Sequence, residues 1–176
     1  MIRRRGTPGY RRLMQGAPPR QRAVESRHAT PQHQRSLRDT ELTSVMRFTV
    51  RRVAVTEFPE ARTLVVGIAE KEDGTGRGLL FQVSLEAPSR QDLSLGQATY
   101  CTSADNGRTT YGGIERLELR DGKLVVRFDE HAAGEVGMAR DVEATLAVDE
   151  NAIRELRAGL ERLFSMAPGD APQLSV

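Results

Sequence analysis

A chain of 176 residues, 38% of them hydrophobic, holds one domain plus an extension, or at most two small domains. Its single cysteine excludes an intramolecular disulfide, and no apolar run approaches the roughly 18 residues that span a bilayer, so a reducing cytoplasm is the simplest home. The charge is divided: residues 1–45 carry ten arginines against three acids, a formal +7, while residues 46–176 carry sixteen bases against twenty-one acids, a formal −5.

Residues 1–45 have neither helical nor strand periodicity and few large apolar groups, so they read as a disordered, Arg-rich extension. Three readings of it stay open. A basic arm binds nucleic acid or another acidic surface. An Arg-rich, acid-poor start also resembles an organellar transit peptide, although a secretory apolar core is missing. The plainest reading is that the segment lies upstream of the true start, which is then Met46, directly before the first strand-like run.

Residues 46–166 read as a single α+β domain. Phe48 and Val50 alternate with polar residues, and Val53 and Val55 continue one residue out of phase, which predicts a bulge at Arg51-Arg52. Leu64, Val66 and Ile68 form the next alternating run, and Leu79, Phe81, Val83 and Leu85 the third. The polar stretch between them, 70–78, ends in no Gly-Lys-Ser/Thr and is no phosphate loop. Residues 87–95 read as a loop with at most one turn.

Two tight-turn signals follow. Both central residues of a type I′ turn need positive φ, which Asn106-Gly107 and Asp121-Gly122 supply. Counting outward from Asp121-Gly122 pairs Leu119 with Leu124, Leu117 with Val126 and Glu115 with Phe128 on one face, and Glu118 with Val125 and Arg116 with Arg127 on the other. The same count from Asn106-Gly107 sets Asp105 beside Arg108 and Thr102 beside Tyr111, which places Tyr100 and Tyr111 on one face. Gly112-Gly113, between the hairpins, marks a bulge or close backbone approach, or else room for a ligand or partner.

Asp129 can cap a short helix, EHAAGEV, that Gly137 ends. Val142, Ala144, Leu146 and Val148 make a last strand. Asp149 then caps a long helix whose stripe is Ile153, Leu156, Leu160, Leu163 and Phe164. Residues 167–176 read as a frayed tail. The sum is a mainly antiparallel sheet of about six or seven strands, with the C-terminal helix packed on one face and one short helix. Its core lies between the helix stripe and the Leu117/Leu119/Leu124/Val126/Phe128 face.

Convergent catalytic groups are scarce. The domain has one histidine, His131, and one cysteine, Cys101, so the usual metal-ligand spacing is missing and no cofactor is expected. Cys101 in a strand reads as a small buried hydrophobe. A hydrolase or transferase using Tyr111 and Glu115 has no motif behind it. Tyrosines are enriched at binding surfaces, so Tyr100 and Tyr111 fit a contact face as well as a core.

The run Tyr100-Cys101 … Gly107 … Thr110-Tyr111-Gly112-Gly113-Ile114-Glu115 … Leu117 … Leu119 … Leu124, continued by EHAAGEVGM, a strand ending in Asp149 and the phrase LRAGLERLF, resembles the immunity protein 10 family of bacterial polymorphic toxin systems. The resemblance covers about residues 46–165. It implies a cytoplasmic, non-catalytic protein that binds and neutralises a cognate protein toxin domain, with no membrane partner. The acidic domain suits a basic toxin. A nucleic-acid-binding protein using the Arg-rich arm is the alternative. The residues expected at the partner contact are the exposed hairpin side chains Asp105, Arg108, Tyr111 and Glu118.

Overall fold

The structure, a computed structural model, describes residues 45–169 and 171–175. The readings of the Arg-rich extension up to residue 44 therefore lie outside the described residues.

The phase shift near Arg51 is no bulge within one strand. Strand β1 (Val45–Val50) and strand β2 (Arg52–Phe58) belong to different sheets. One peptide unit makes the passage. Its carbonyl, on Val50, accepts from Ala147 N at 2.8 Å beyond β9 (Asp141–Leu146), and its N–H, on Arg51, donates to Ala69 O at 2.9 Å at the end of β3 (Thr63–Ala69). The two alternating patterns belong to two different sheets, which a single-strand reading of the sequence cannot separate.

The fold is α+β and mainly antiparallel, and its strands divide into two sheets of five rather than one of six or seven. The first sheet runs β1-β9-β8-β7-β10, with β7 (Ile114–Arg120), β8 (Lys123–Phe128) and β10 (Leu174–Ser175). β1 on β9 and β10 on β7 are its parallel pairs. The second sheet is an antiparallel meander, β2-β3-β4-β5-β6, with β4 (Gly78–Ser84), β5 (Cys101–Ala104) and β6 (Thr109–Tyr111). Residues 174–175 thus pair with β7 at the end of the segment read as a frayed tail; two residues carry too little pattern to announce a strand.

The Asp121-Gly122 turn is type I′, with φ 50° and 68°, and Leu119, Leu117, Glu118 and Arg116 take the expected partners. The register shifts between Ile114 and Arg116, so Phe128 faces Ile114 and not Glu115. Glu115 bulges outward and meets Arg127 and Arg140 instead. The other hairpin is one residue longer in its loop than expected. Ala104 N donates to Arg108 O at 3.0 Å, Gly107 N to Ala104 O at 3.0 Å, and Gly107 alone has positive φ, 77°. That is a three-residue loop closed by a glycine bulge. Thr102 therefore faces Thr110, Cys101 faces Tyr111, and Tyr100 and Tyr111 part to opposite sides.

Three helices among the described residues complete the fold. α1 (Arg90–Ser94) is the single turn allowed for in the 87–95 loop. α2 (Glu130–Val136) starts on Asp129, which accepts from Ala132 N at 2.7 Å, and ends on Gly137 at φ 69°. α3 (Glu150–Met166) starts on Asp149 and buries Leu156, Gly159, Leu160, Leu163 and Phe164. It packs most closely against β2, β3 and β4. A Cβ on Gly159 would stand 2.7 Å from Val55 Cγ2, so that glycine is what lets the helix lie so close to the sheet. The inner faces of both sheets and the helix stripe nevertheless form one continuous core. Each fully buried leucine in it is worth roughly 1.5–3 kcal/mol.

The second passage between the sheets is Gly112-Gly113. Gly112 N donates to Tyr100 O at 3.0 Å on the meander side, and Gly113 O accepts from Asp129 N at 2.8 Å on the other. Both glycines have positive φ, 70° and 77°. Ala132 of α2 lies so close that a Cβ on Gly113 would stand 2.4 Å from its own. Tyr100 is the buried post of this joint. Its hydroxyl accepts from Ile114 N at 2.8 Å, and its ring meets Phe164 edge-on at 5.0 Å.

Gly113→Ala combines a left-handed backbone with a collision and should lose about 2–4 kcal/mol in urea unfolding. Gly107→Ala, with the same φ but open space around it, should lose only about 1 kcal/mol; equal losses would show that the α2 contact is not tight. Burial first, then the Asp129 carboxylate, pushes the Tyr100 hydroxyl up to about 12. An unfolded tyrosine titrates near 10. From about pH 10 to about pH 12 the unfolded chain binds fewer protons than the folded one, so stability falls as pH rises through that window. Tyr100→Phe leaves Ile114 N buried without its acceptor, at a cost of about 1–3 kcal/mol at neutral pH, and should make the alkaline decline shallower.

Candidate binding surface

The outer faces of the two sheets differ in kind. On the β1-β9-β8-β7 face, charges alternate and answer one another. Glu143 takes Lys123 at 2.8 Å and Arg47 at 3.8 Å, and Arg127 lies 3.6 Å from both Asp141 and Glu115. The chief effect of these partly exposed pairs is to neutralise the face internally. Lys123 and the smaller influence of Arg47 hold the Glu143 carboxyl below its ordinary range.

The outer face of the meander carries no charge on β3, β4, β5 or β6. Register puts Val65, Gly67, Leu80, Gln82, Cys101, Ser103, Thr109 and Tyr111 there. At one end of it the 85–99 segment folds back and encloses a cleft of about 280 Å³. Gln82, Ser84, Thr99 and Cys101 line it, with Tyr111 on one side and Asp92 and Glu86 among its acidic groups. No lysine or arginine lines it. Leu93 and Leu95 of the α1 turn are 62% and 58% exposed and Tyr111 is 42% exposed, three of the four large hydrophobic residues exposed among those described.

The α1 turn is positioned by a reciprocal cap. Ser89 N donates to Asp92 Oδ2 at 2.8 Å, and Asp92 N donates to Ser89 Oγ at 3.2 Å. Those bonds hold the Asp92 carboxyl below its ordinary value. Burial pushes the Tyr111 hydroxyl up, and negative charge on Cys101 and Asp92 adds to it. Burial also pushes the Cys101 thiol up, against a smaller opposing bond with Ser103. Such a thiol is a poor nucleophile at neutral pH. His131 stands elsewhere, on α2, with Nε2 3.4 Å from Glu135 Oε1. Among the described residues no three His, Cys, Asp or Glu groups are placed to hold a metal.

The four residues expected at the contact are scattered by the fold. Asp105 is exposed at the β5–β6 turn. Arg108 reaches from that turn to the end of α2 and donates from Nη2 to Gly134 O at 2.5 Å, a structural bond to an otherwise unpaired helix carbonyl. Tyr111 sits on the uncharged face beside the cleft. Glu118 is on the other sheet and is only 8% exposed, contrary to the exposed position expected of it. Arg116 Nη2 lies 2.5 Å from its Oε1, and Arg120 Nη2 lies 3.3 Å from its Oε2 without hydrogen-bond alignment. Tyr100, expected beside Tyr111, is core. Leu93 and Leu95 were missed; the one signal for them was Ser89-x-x-Asp92, a helix-start pattern that brings two leucines into an otherwise polar loop.

The family model described as Immunity protein 10 matches residues 49–154. The chain belongs to the immunity protein 10 family. No curated protein and no solved structure matches it. The matched span of this family member runs from the end of β1 into the first turn of α3. It contains both passages between the sheets and every cleft residue named above. No helix among the described residues is long and apolar enough to cross a membrane.

The thiol gives a direct check on the cleft. Cys101 in the folded chain should be alkylated by iodoacetamide at about pH 7.5 several-fold more slowly than in urea-unfolded chain, because burial keeps it protonated and covered. Equal rates would mean the cleft floor is open.

Proposed function

We propose that this chain acts in the cytoplasm, binds a cognate toxin domain and neutralises it by blocking it, with no catalysis of its own. Family membership over residues 49–154 carries the reading. The negative formal charge of −5 over residues 46–176 supports it, since opposite charge accelerates encounter with a basic toxin. Of the contact residues named from the sequence, Tyr111 and Asp105 are the ones free to meet a partner. Arg108 is engaged by α2, and Glu118 lies between two arginines.

Co-expression with the toxin encoded beside this chain should restore growth that the toxin alone abolishes. Unchanged killing would overturn the reading. Titration separates blocking from catalysis. Toxin activity should fall linearly to its minimum near one chain per toxin and return when the complex is dissociated. Lasting inactivation by a small fraction of an equivalent would show an enzyme at work.

A further inference from the structure

We infer that the cleft between the α1 turn and the uncharged face of β4, β5 and β6 is the seat for one arginine or lysine side chain of the toxin, with Tyr111 and Asp92 as its receptor groups. The inference rests on the neutralisation reading and names the surface through which it works.

Size comes first. At about 280 Å³ the cleft falls below the roughly 300–1,000 Å³ of pockets that enclose small ligands, and it is open to solvent. One long side chain fits it, held by whatever surface carries that side chain. Charge comes second. The lining holds two carboxylates and no lysine or arginine. Glu86 is already ion-paired to Arg62. Asp92, among the described residues, makes no ion pair, and its hydrogen bonds go to its own helix cap. A cation entering here meets an ionised carboxylate that no other cation engages. The aromatic ring comes third. Tyr111 is held at the cleft by a strand, its ring partly exposed, where a guanidinium or ammonium can lie over its face. The surround comes last. Leu93, the residue after Asp92, and Leu95 on the same short segment are exposed apolar surface that a partner seated over the cleft would bury. The opposite face of the domain, by contrast, has its charges answered internally.

The test uses the full chain and the toxin domain encoded beside it, with binding followed by titration calorimetry at two salt concentrations. Tyr111→Ala should weaken binding about tenfold or more, as loss of an aromatic anchor does. Leu93→Ser, at an exposed position, should weaken it about threefold or more. Asp92→Asn keeps a capping side chain and should weaken binding while flattening its salt dependence. Arg47→Ala, on the other sheet, should leave affinity within about twofold, as surface positions outside a contact do. Wild-type affinity in all three cleft variants would overturn the inference and leave the neutralisation reading standing. No binding by the wild-type chain would remove that reading and the inference together. A concentration-dependent dimer that Tyr111→Ala abolishes would assign the cleft to a second copy and overturn the inference as well.

Discussion

The peptide between Val50 and Arg51 divides its two hydrogen bonds between two sheets, and the rest of the domain depends on that division. A backbone unit that bonds in both directions cannot slide, so it sets where one sheet stops and the other begins. The chain returns once more, at Gly112-Gly113, where Gly112 N and Gly113 O again bond to opposite sides. Between these joints lies the whole meander. Its inner face, the inner face of the other sheet and the stripe of α3 close one core. The Tyr100 hydroxyl braces the second joint from within, so that a polar group in the core satisfies the backbone N–H that the crossing exposes.

Two joints also explain why the outer faces differ. A sheet whose edge strands are parallel additions, β1 and β10, presents a face lined by long charged side chains that pair across strands. Strands β3 to β6 of the meander present uncharged ones, among them Leu80, Gln82, Ser103 and Thr109, with Tyr111 of β6 and the α1 turn at one end. The proposed blocking role calls for one face that is cheap to dehydrate. Neutral serine, threonine and glutamine lose less on leaving water than ionised groups do. The cleft adds two carboxylates to that face, Glu86 paired to Arg62 and Asp92 with no ion pair among the described residues.

Much of this was legible from local pattern. Asp129 with Gly137 and Asp149 with the 153–164 stripe mark α2 and α3 because capping and helical spacing are chain-local. Asp121-Gly122 pins the register of Leu117 and Leu119 for the same reason. The Asn106-Gly107 hairpin shows the limit. A type I′ turn and a three-residue loop with a glycine bulge share the same dipeptide, and one residue of difference reverses every face beyond it. Tyr100 and Tyr111 were separated by that single residue. Glu118 alternates correctly as an outward residue, yet its neighbours Arg116 and Arg120, with Ser175 paired beside it, cover it.

The sequence by itself determined the α+β class, the helix ends, one hairpin register and, through the run around Tyr-Gly-Gly-Ile-Glu, the family. All of these rest on residues within a few positions of one another, or on an order of motifs along the chain. Tertiary structure alone decided that the described strands form two sheets, that α3 lies on β2, β3 and β4, and that Tyr111, Asp92 and Gln82 meet at one cleft. These depend on which of two equally alternating strands bond to each other. That choice is made by the peptide hydrogen bonds at Arg51 and Gly112-Gly113, between partners 18 residues apart or more at Arg51–Ala69 and 12 at Gly112–Tyr100, and no local pattern records it.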